Sequence, residues 1–174
     1  TLMHGATVWA VASALALGIL EGWSPIVVRY LGLAMLAPAM LLYFGEGTRF
    51  VPEDKFARAK VHQWMFWEQN AHEGCIAVRG AILRYPERAH LRTPEILDPL
   101  LASGNHCLGV METQLKVTPY LAGEAYSVAD ICLYAYTHSA DRGGFDLTQF
   151  PAIQAWLARV AGEPGHVPLE WRPG

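Results

Sequence analysis

Charge is scarce in this chain. Asp, Glu, Lys and Arg supply 17% of the 174 residues, and the formal net charge is −3 with a pI near 6.1. Its few basic residues stand singly or beside acids, so the sequence offers no basic face to meet a phosphate backbone, and a nucleic-acid partner is not expected. Cysteine is equally sparse. Cys75, Cys107 and Cys132 are odd in number and far apart, with no CxxC pair. That pattern argues against a redox motif, a zinc knuckle or a disulfide-framed secreted scaffold. It leaves a reduced cytoplasmic compartment as the expectation, with each thiol a small buried apolar side chain. Other chemistries lack their signatures as well. His62, His72, His90 and His106 do not fall at metal-ligand spacing, and no HExxH is present. The glycines at Gly45 and Gly47 lack the Lys-Ser/Thr of a phosphate loop. No nucleophile elbow appears.

What is abundant is apolar surface. Hydrophobic residues make up 52% of the chain, including six Trp, seven Tyr and six Phe. That is enough for a sizeable core and for large aromatic contacts in a core or an interface. Residues 1–47 are the most apolar part, with Glu21, Arg29 and Glu46 their only clear charges. The runs 6–20 and 30–44 are each shorter than the roughly 20 residues of a membrane-spanning helix, and Pro38 divides the second. A buried core is expected rather than a membrane hairpin. His4 alone makes a poor basic region for a signal peptide. Residues 23–30, WSPIVVRY, carry β-branched residues after the turn at Glu21-Gly22 and read as a strand. A small α/β opening results.

Beyond Gly45-Glu46-Gly47-Thr48 the spacing turns helical. Pro52 suits the first turn of a helix, and Glu53 and Asp54 place negative charge at its positive end. Phe56, Ala59, Trp64, Trp67, Ala71 and Ile76 continue the period to Leu83 or Arg84, where Tyr85-Pro86 stops it. Gly74 and Gly80 mark places for a bend or a close backbone approach. After a loop with Pro86 and Pro94, residues 95–117 read as a second long helix, with Pro99 delaying its start and Ser103-Gly104-Asn105 weakening its middle. Ser127-Val128-Ala129-Asp130 has the form of a capping box: Ser127 caps the new helix and Asp130 returns a bond to the Ser127 amide. The nearly all-apolar helix behind it belongs in the middle of a bundle, so Asp130 reads as structural. Gly143-Gly144 makes a turn. A last helix begins near Pro151 with Ile153, Trp156, Leu157 and Val160 on one face.

Three blocks now resemble one family. Residues 49–69, RFVPEDKFARAKVHQWMFWEQ, look like the interdomain link and first C-domain helix of bacterial glutathione S-transferases. Residues 119–138, PYLAGEAYSVADICLYAYTH, look like that family's loop, capping box and central helix. Residues 145–166, FDLTQFPAIQAWLARVAGEPGH, look like its next loop and helix. From Arg49 to His166 the blocks span about 120 residues in family order. The resemblance implies a mainly α fold, with an all-helical C-terminal bundle over 48–174 preceded by an abbreviated thioredoxin-like α/β segment over 1–47. In the family the front domain holds glutathione. Here Leu36 and Ala37 align with the Glu-Ser pair that binds its γ-glutamyl end, and the cis-proline segment has no clear counterpart.

The implied activity is conjugation of glutathione, as co-substrate, to a small hydrophobic electrophile. Such chemistry needs a donor beside the thiol at a helix N-terminus. Thr7 is the hydroxyl in that position and is also a plain helix cap. Trp67, Asn70 and His72, with Cys75 beside them, lie on the helix that borders the family's hydrophobic substrate site. From spacing alone, Trp67 reads also as core, and His72, next to Glu73, as a solvated or hydrogen-bonded surface residue. The family's habit implies a homodimer. Two alternatives stand beside the enzyme: a non-catalytic binding or interaction protein whose glutathione site has degraded, and an internally shortened version of an ordinary transferase.

Overall fold

The computed structural model describes residues 40–168 and Trp171. The chain divides into two units, Thr1–Val51 and Pro52–Gly174. In the first, residues 40–45 are helical. The chain then turns where Thr48 donates from both its amide (3.0 Å) and its hydroxyl (2.6 Å) to the Gly45 carbonyl. The strand expected at 23–30, and most of the expected α/β segment, lie outside the described residues.

The second unit is a helical bundle. Helix α1, Lys55–Trp67, is capped by Asp54, whose carboxylate accepts from the Ala57 amide at 2.8 Å. This corrects the expectation for Pro52. It precedes the cap rather than opening the helix, and its carbonyl accepts from Arg58 Nε at 2.8 Å. The long helix then changes its winding. Glu68–Ala77 is a π-helical segment, and α2, Val78–Arg84, resumes the α form. Side-chain periodicity is blind to this change, because a π turn shifts the backbone ladder by one residue without a residue type of its own. Tyr85 is extended ahead of Pro86 and ends α2. What read as a loop is a 3₁₀ helix, Pro86–Leu91. Arg92 folds back from its end, donating to the carbonyls of Ile82 (2.9 Å), Leu83 (3.0 Å) and Tyr85 (3.3 Å). A guanidinium there satisfies carbonyls that the helix leaves open.

Helix α3, Pro94–Leu115, starts at Pro94 and runs through Pro99 without delay. Its weak middle has a packing cause. A Cβ on Gly104 would lie 2.3 Å from the Phe145 ring, so glycine lets the loop after Gly143 press onto the helix. That closeness, expected of Gly74 and Gly80, belongs to Gly104; a Cβ on either of those two would meet nothing within 4 Å. Helix α4, Val128–Thr137, begins with the expected capping box. The Asp130 carboxylate does more than close it. It accepts from the Ser127 amide and hydroxyl (both 3.0 Å), the Leu121 amide (3.0 Å) and Trp156 Nε1 (2.9 Å). Burial pushes the Asp130 pKa up, while these donors pull it down.

A short 3₁₀ turn, Ala140–Gly143, leads to Gly144 at φ +79°, and Arg79 holds the Gly143 carbonyl from beneath. Helix α5, Pro151–Ala161, is capped from another helix: Glu112 of α3 accepts from the amides of Ala152 (3.2 Å) and Ile153 (3.0 Å). Leu108, Met111, Leu121, Leu133, Ile153 and Trp156 are fully buried between α3, α4 and α5. Every regular element among the described residues is helical, and Tyr120–Gly123 forms an isolated bridge. Among those residues no helix is long and apolar enough to cross a membrane.

Candidate functional site

The π segment packs along α3. Where the two separate they leave an open cleft of about 660 Å³ lined by Asn70, Ala71, Gly74, Cys75, Leu100, Ala102, Ser103, His106 and Cys107. Small side chains on both helices make the space. A second groove of about 490 Å³ shares His106 and is bordered by Trp64, Val110 and Gln114. On the floor of the larger cleft, Cys75 Sγ lies 3.7 Å from Cys107 Sγ and 3.0 Å from the Ala71 carbonyl. The Cys107 S–H can stabilise a thiolate at Cys75, which brings the Cys75 pKa down to about 7 while that of Cys107 rises. Cys132, on α4, is pushed up to about 12 by burial and by the charges of Glu68 and Asp130.

Behind the cleft runs a buried polar chain. His72 is 0% exposed, and its Nε2 is 2.9 Å from Thr137 Oγ1. The Thr137 hydroxyl donates to the Leu133 carbonyl at 2.7 Å. It therefore accepts from His72, which places the ring proton on Nε2 and leaves Nδ1 bare. His72 Nδ1 faces Glu68 Oε1 at 4.0 Å, beyond hydrogen-bond reach, and neither atom has a partner. Burial lowers the His72 pKa to about 4. Burial, with a smaller push from the Glu73 charge, raises that of Glu68 to about 7 against the bond from Gln69. A neutral imidazole facing a carboxyl that holds its proton near neutrality is the consistent state. Gln69 Nε2 ties Glu68 (2.6 Å) to Glu73 (3.0 Å), and the Tyr136 hydroxyl reaches Glu73 at 3.5 Å. Such a chain can share a proton between groups.

Of the residues selected from sequence, Asn70 is exposed and lines the larger cleft. Trp67 is half-buried against Trp64, ring centroids 5.2 Å apart, and lines neither groove. The surface reading of His72 is corrected: the π segment turns its ring inward onto α4. Thr7 lies outside the described residues, as do His4, Leu36 and Ala37. Sequence reasoning missed Glu68, whose four-residue spacing from His72 was the available signal. It also missed the meeting of Cys75 with Cys107, for which a separation of 32 residues gave no signal at all.

Known proteins show the same architecture. Residues 95–164 match the family profile described as glutathione S-transferase, C-terminal domain. A glutathione S-transferase crystal structure from Pseudomonas fluorescens is 48% identical, with a TM-score of 0.72, over 76% of this chain and 65% of that one. The disulfide-bond oxidoreductase YfcG of Escherichia coli is 28% identical over 127 residues, 72% of this chain and 58% of that protein. A glutathione transferase family member from Pseudomonas fluorescens with two glutathione bound shares the fold at 19% identity and a TM-score of 0.64, over 72% of this chain and 58% of that one. This chain thus spans 58% to 65% of the length of these relatives. Through this helical C-terminal domain, the chain belongs to the glutathione S-transferase family.

Proposed function

We propose that the protein is a glutathione transferase, joining the glutathione thiol to a small hydrophobic electrophile as a homodimer. The observation that carries this reading is the 48% identity to a bacterial glutathione S-transferase across the helical domain. In this reading the Thr7 hydroxyl stabilises the glutathione thiolate. Trp67 and Asn70 border the electrophile, and His72 supports that wall from behind. Calorimetric titration of the full chain with glutathione is the test, followed by conjugation to an aryl halide. Saturable binding, with turnover reduced at least about tenfold in Thr7→Val, the loss expected when a stabilising donor worth over about 1.4 kcal/mol is removed, supports the reading. A folded chain that binds no glutathione at millimolar concentration overturns it.

A second reading, a non-catalytic binding protein, is favoured by Leu36 and Ala37, which offer neither carboxylate nor hydroxyl to the γ-glutamyl end. It expects the outcome without glutathione binding. Because the Escherichia coli relative is a disulfide-bond oxidoreductase, a low-molecular-weight disulfide belongs among the second substrates tested.

A further inference from the structure

Two of the three cysteines meet across the helix pair that forms the cleft. Cys75 comes from the π segment and Cys107 from α3, with 3.7 Å between their sulfurs. Both line the cleft, beside Gly74, Ala102 and Ser103, which put little bulk over them. We propose that Cys75 and Cys107 form a redox-active dithiol, which a low-molecular-weight disulfide entering the cleft converts to an intramolecular disulfide.

The electron and proton balance is simple. The Cys75 thiolate attacks one sulfur of the incoming disulfide. A Cys75–S–S–R bond forms, the R–S–S–R bond breaks, and one thiol leaves with a proton from solvent. Cys107 then loses its proton and attacks Cys75 Sγ, releasing the second thiol. The protein dithiol is oxidised by two electrons and the incoming disulfide is reduced to two thiols. An excess of the thiol runs both steps backwards.

Three features favour this pair over two inert core thiols. Closing the bond needs the sulfurs to move from 3.7 Å to about 2.0 Å apart. Cys75 sits on a π turn, a helix distortion that recurs at functional sites. The Cys107 S–H favours the thiolate at Cys75, so the first attack has its nucleophile near neutral pH. Cys132 supplies the internal control, since no sulfur neighbours it and its own thiol is held protonated.

The test equilibrates the full chain with glutathione disulfide at neutral pH, alkylates the remaining thiols, and maps the peptides by mass. The expected result is loss of two of the three alkylatable thiols, a Cys75–Cys107 linked peptide pair, no retained glutathionyl mass and an alkylated Cys132. In Cys107→Ser the second step is blocked, and a glutathionyl adduct should persist on Cys75. Cys107→Ala serves the same purpose where the serine variant does not fold, and the wild-type map stands without either. A folded wild-type chain that keeps three alkylatable thiols overturns the proposal. So does a stable mixed disulfide on wild-type Cys75, or a link that involves Cys132 or joins two chains.

Discussion

Glu112 and Ile153 are 41 residues apart, yet the carboxylate of the first is the cap of the helix that carries the second, at 3.0 Å. Helix α5 starts with Pro151 and has no capping side chain of its own. Its first free amides find their acceptor on α3 instead. Glu112→Ala leaves the Ala152 and Ile153 amides without it. A cost of about 2 kcal/mol is expected, since losing an N-cap costs roughly 0.5–2 and an unpaired buried donor roughly 1–3 kcal/mol. Urea unfolding should show a lower midpoint with an unchanged m-value. An unchanged midpoint would mean that water replaces the carboxylate.

Asp130 stands at a denser junction, holding four donors from three stretches of chain. Asp130→Ala orphans them together, and a loss above about 4 kcal/mol is expected. Ser127→Ala removes only one donor and part of the box, and should cost about 1 kcal/mol. Thermal melts of the two variants rank the effects, and equal losses would refute the picture of a shared hub.

The Glu68–His72 pair predicts opposing pH slopes. Glu68 has a folded pKa raised from 4.5 to about 7, so its contribution is full below pH 4.5 and is lost as pH rises through 7. His72 has a folded pKa lowered from 6.5 to about 4, so its contribution is full above pH 6.5 and is lost as pH falls through 4. Between pH 4.5 and 6.5 the two slopes offset each other. Glu68→Gln should therefore make stability climb with pH across that window, by roughly 1 kcal/mol per pH unit. His72→Gln should make it fall. Denaturation midpoints at several pH values give the slopes, and two variants tilting the same way would contradict the pairing.

Two glycine substitutions should differ in sign. Gly104→Ala drives a methyl into the Phe145 ring and should cost about 2 kcal/mol, in the range for overpacking a core. Adding Phe145→Leu should recover part of that loss. Gly74→Ala meets nothing and should gain up to about 1 kcal/mol from helix propensity. Chemical denaturation reads all three.

Alkylation should separate the thiols. Cys75, with its pKa lowered to about 7, should label with a half-maximal rate near that pH, and Cys132, raised to about 12, should label last. Parallel labelling of all three thiols with pH would show that Cys107 does not stabilise the Cys75 thiolate.

The sequence spoke clearly where causes are local. Ser127 and Asp130 are three residues apart, so their box is visible in four letters. Tyr85-Pro86 ends α2 through the steric rule for the residue before proline. Pro151 opens α5 for the same local reason. At Pro52 local chemistry misled, because proline is welcome both in and before a first turn, and Asp54 made the better cap. Remote causes left no such mark. Nothing near Pro151 announces Glu112, nothing near Gly104 announces Phe145, and the contact of Cys75 with Cys107 exists only once two helices cross. Of the candidate site, Asn70 could be placed at a cleft from its helix, whereas the buried side of His72 depended on a backbone ladder that side-chain spacing does not encode.

That ladder also sets a constraint on length. Glu68–Ala77 holds its turns with one residue more than an α-helix would use. Removing any single residue there would let the stretch relax to α form and rotate all that follows by about 100° relative to what precedes it. Arg79 would swing off the Gly143 carbonyl, and Ile82 would leave the interior. Substitutions along this stretch can be absorbed one at a time, but its residue count works as a phase lock between the two halves of the long helix.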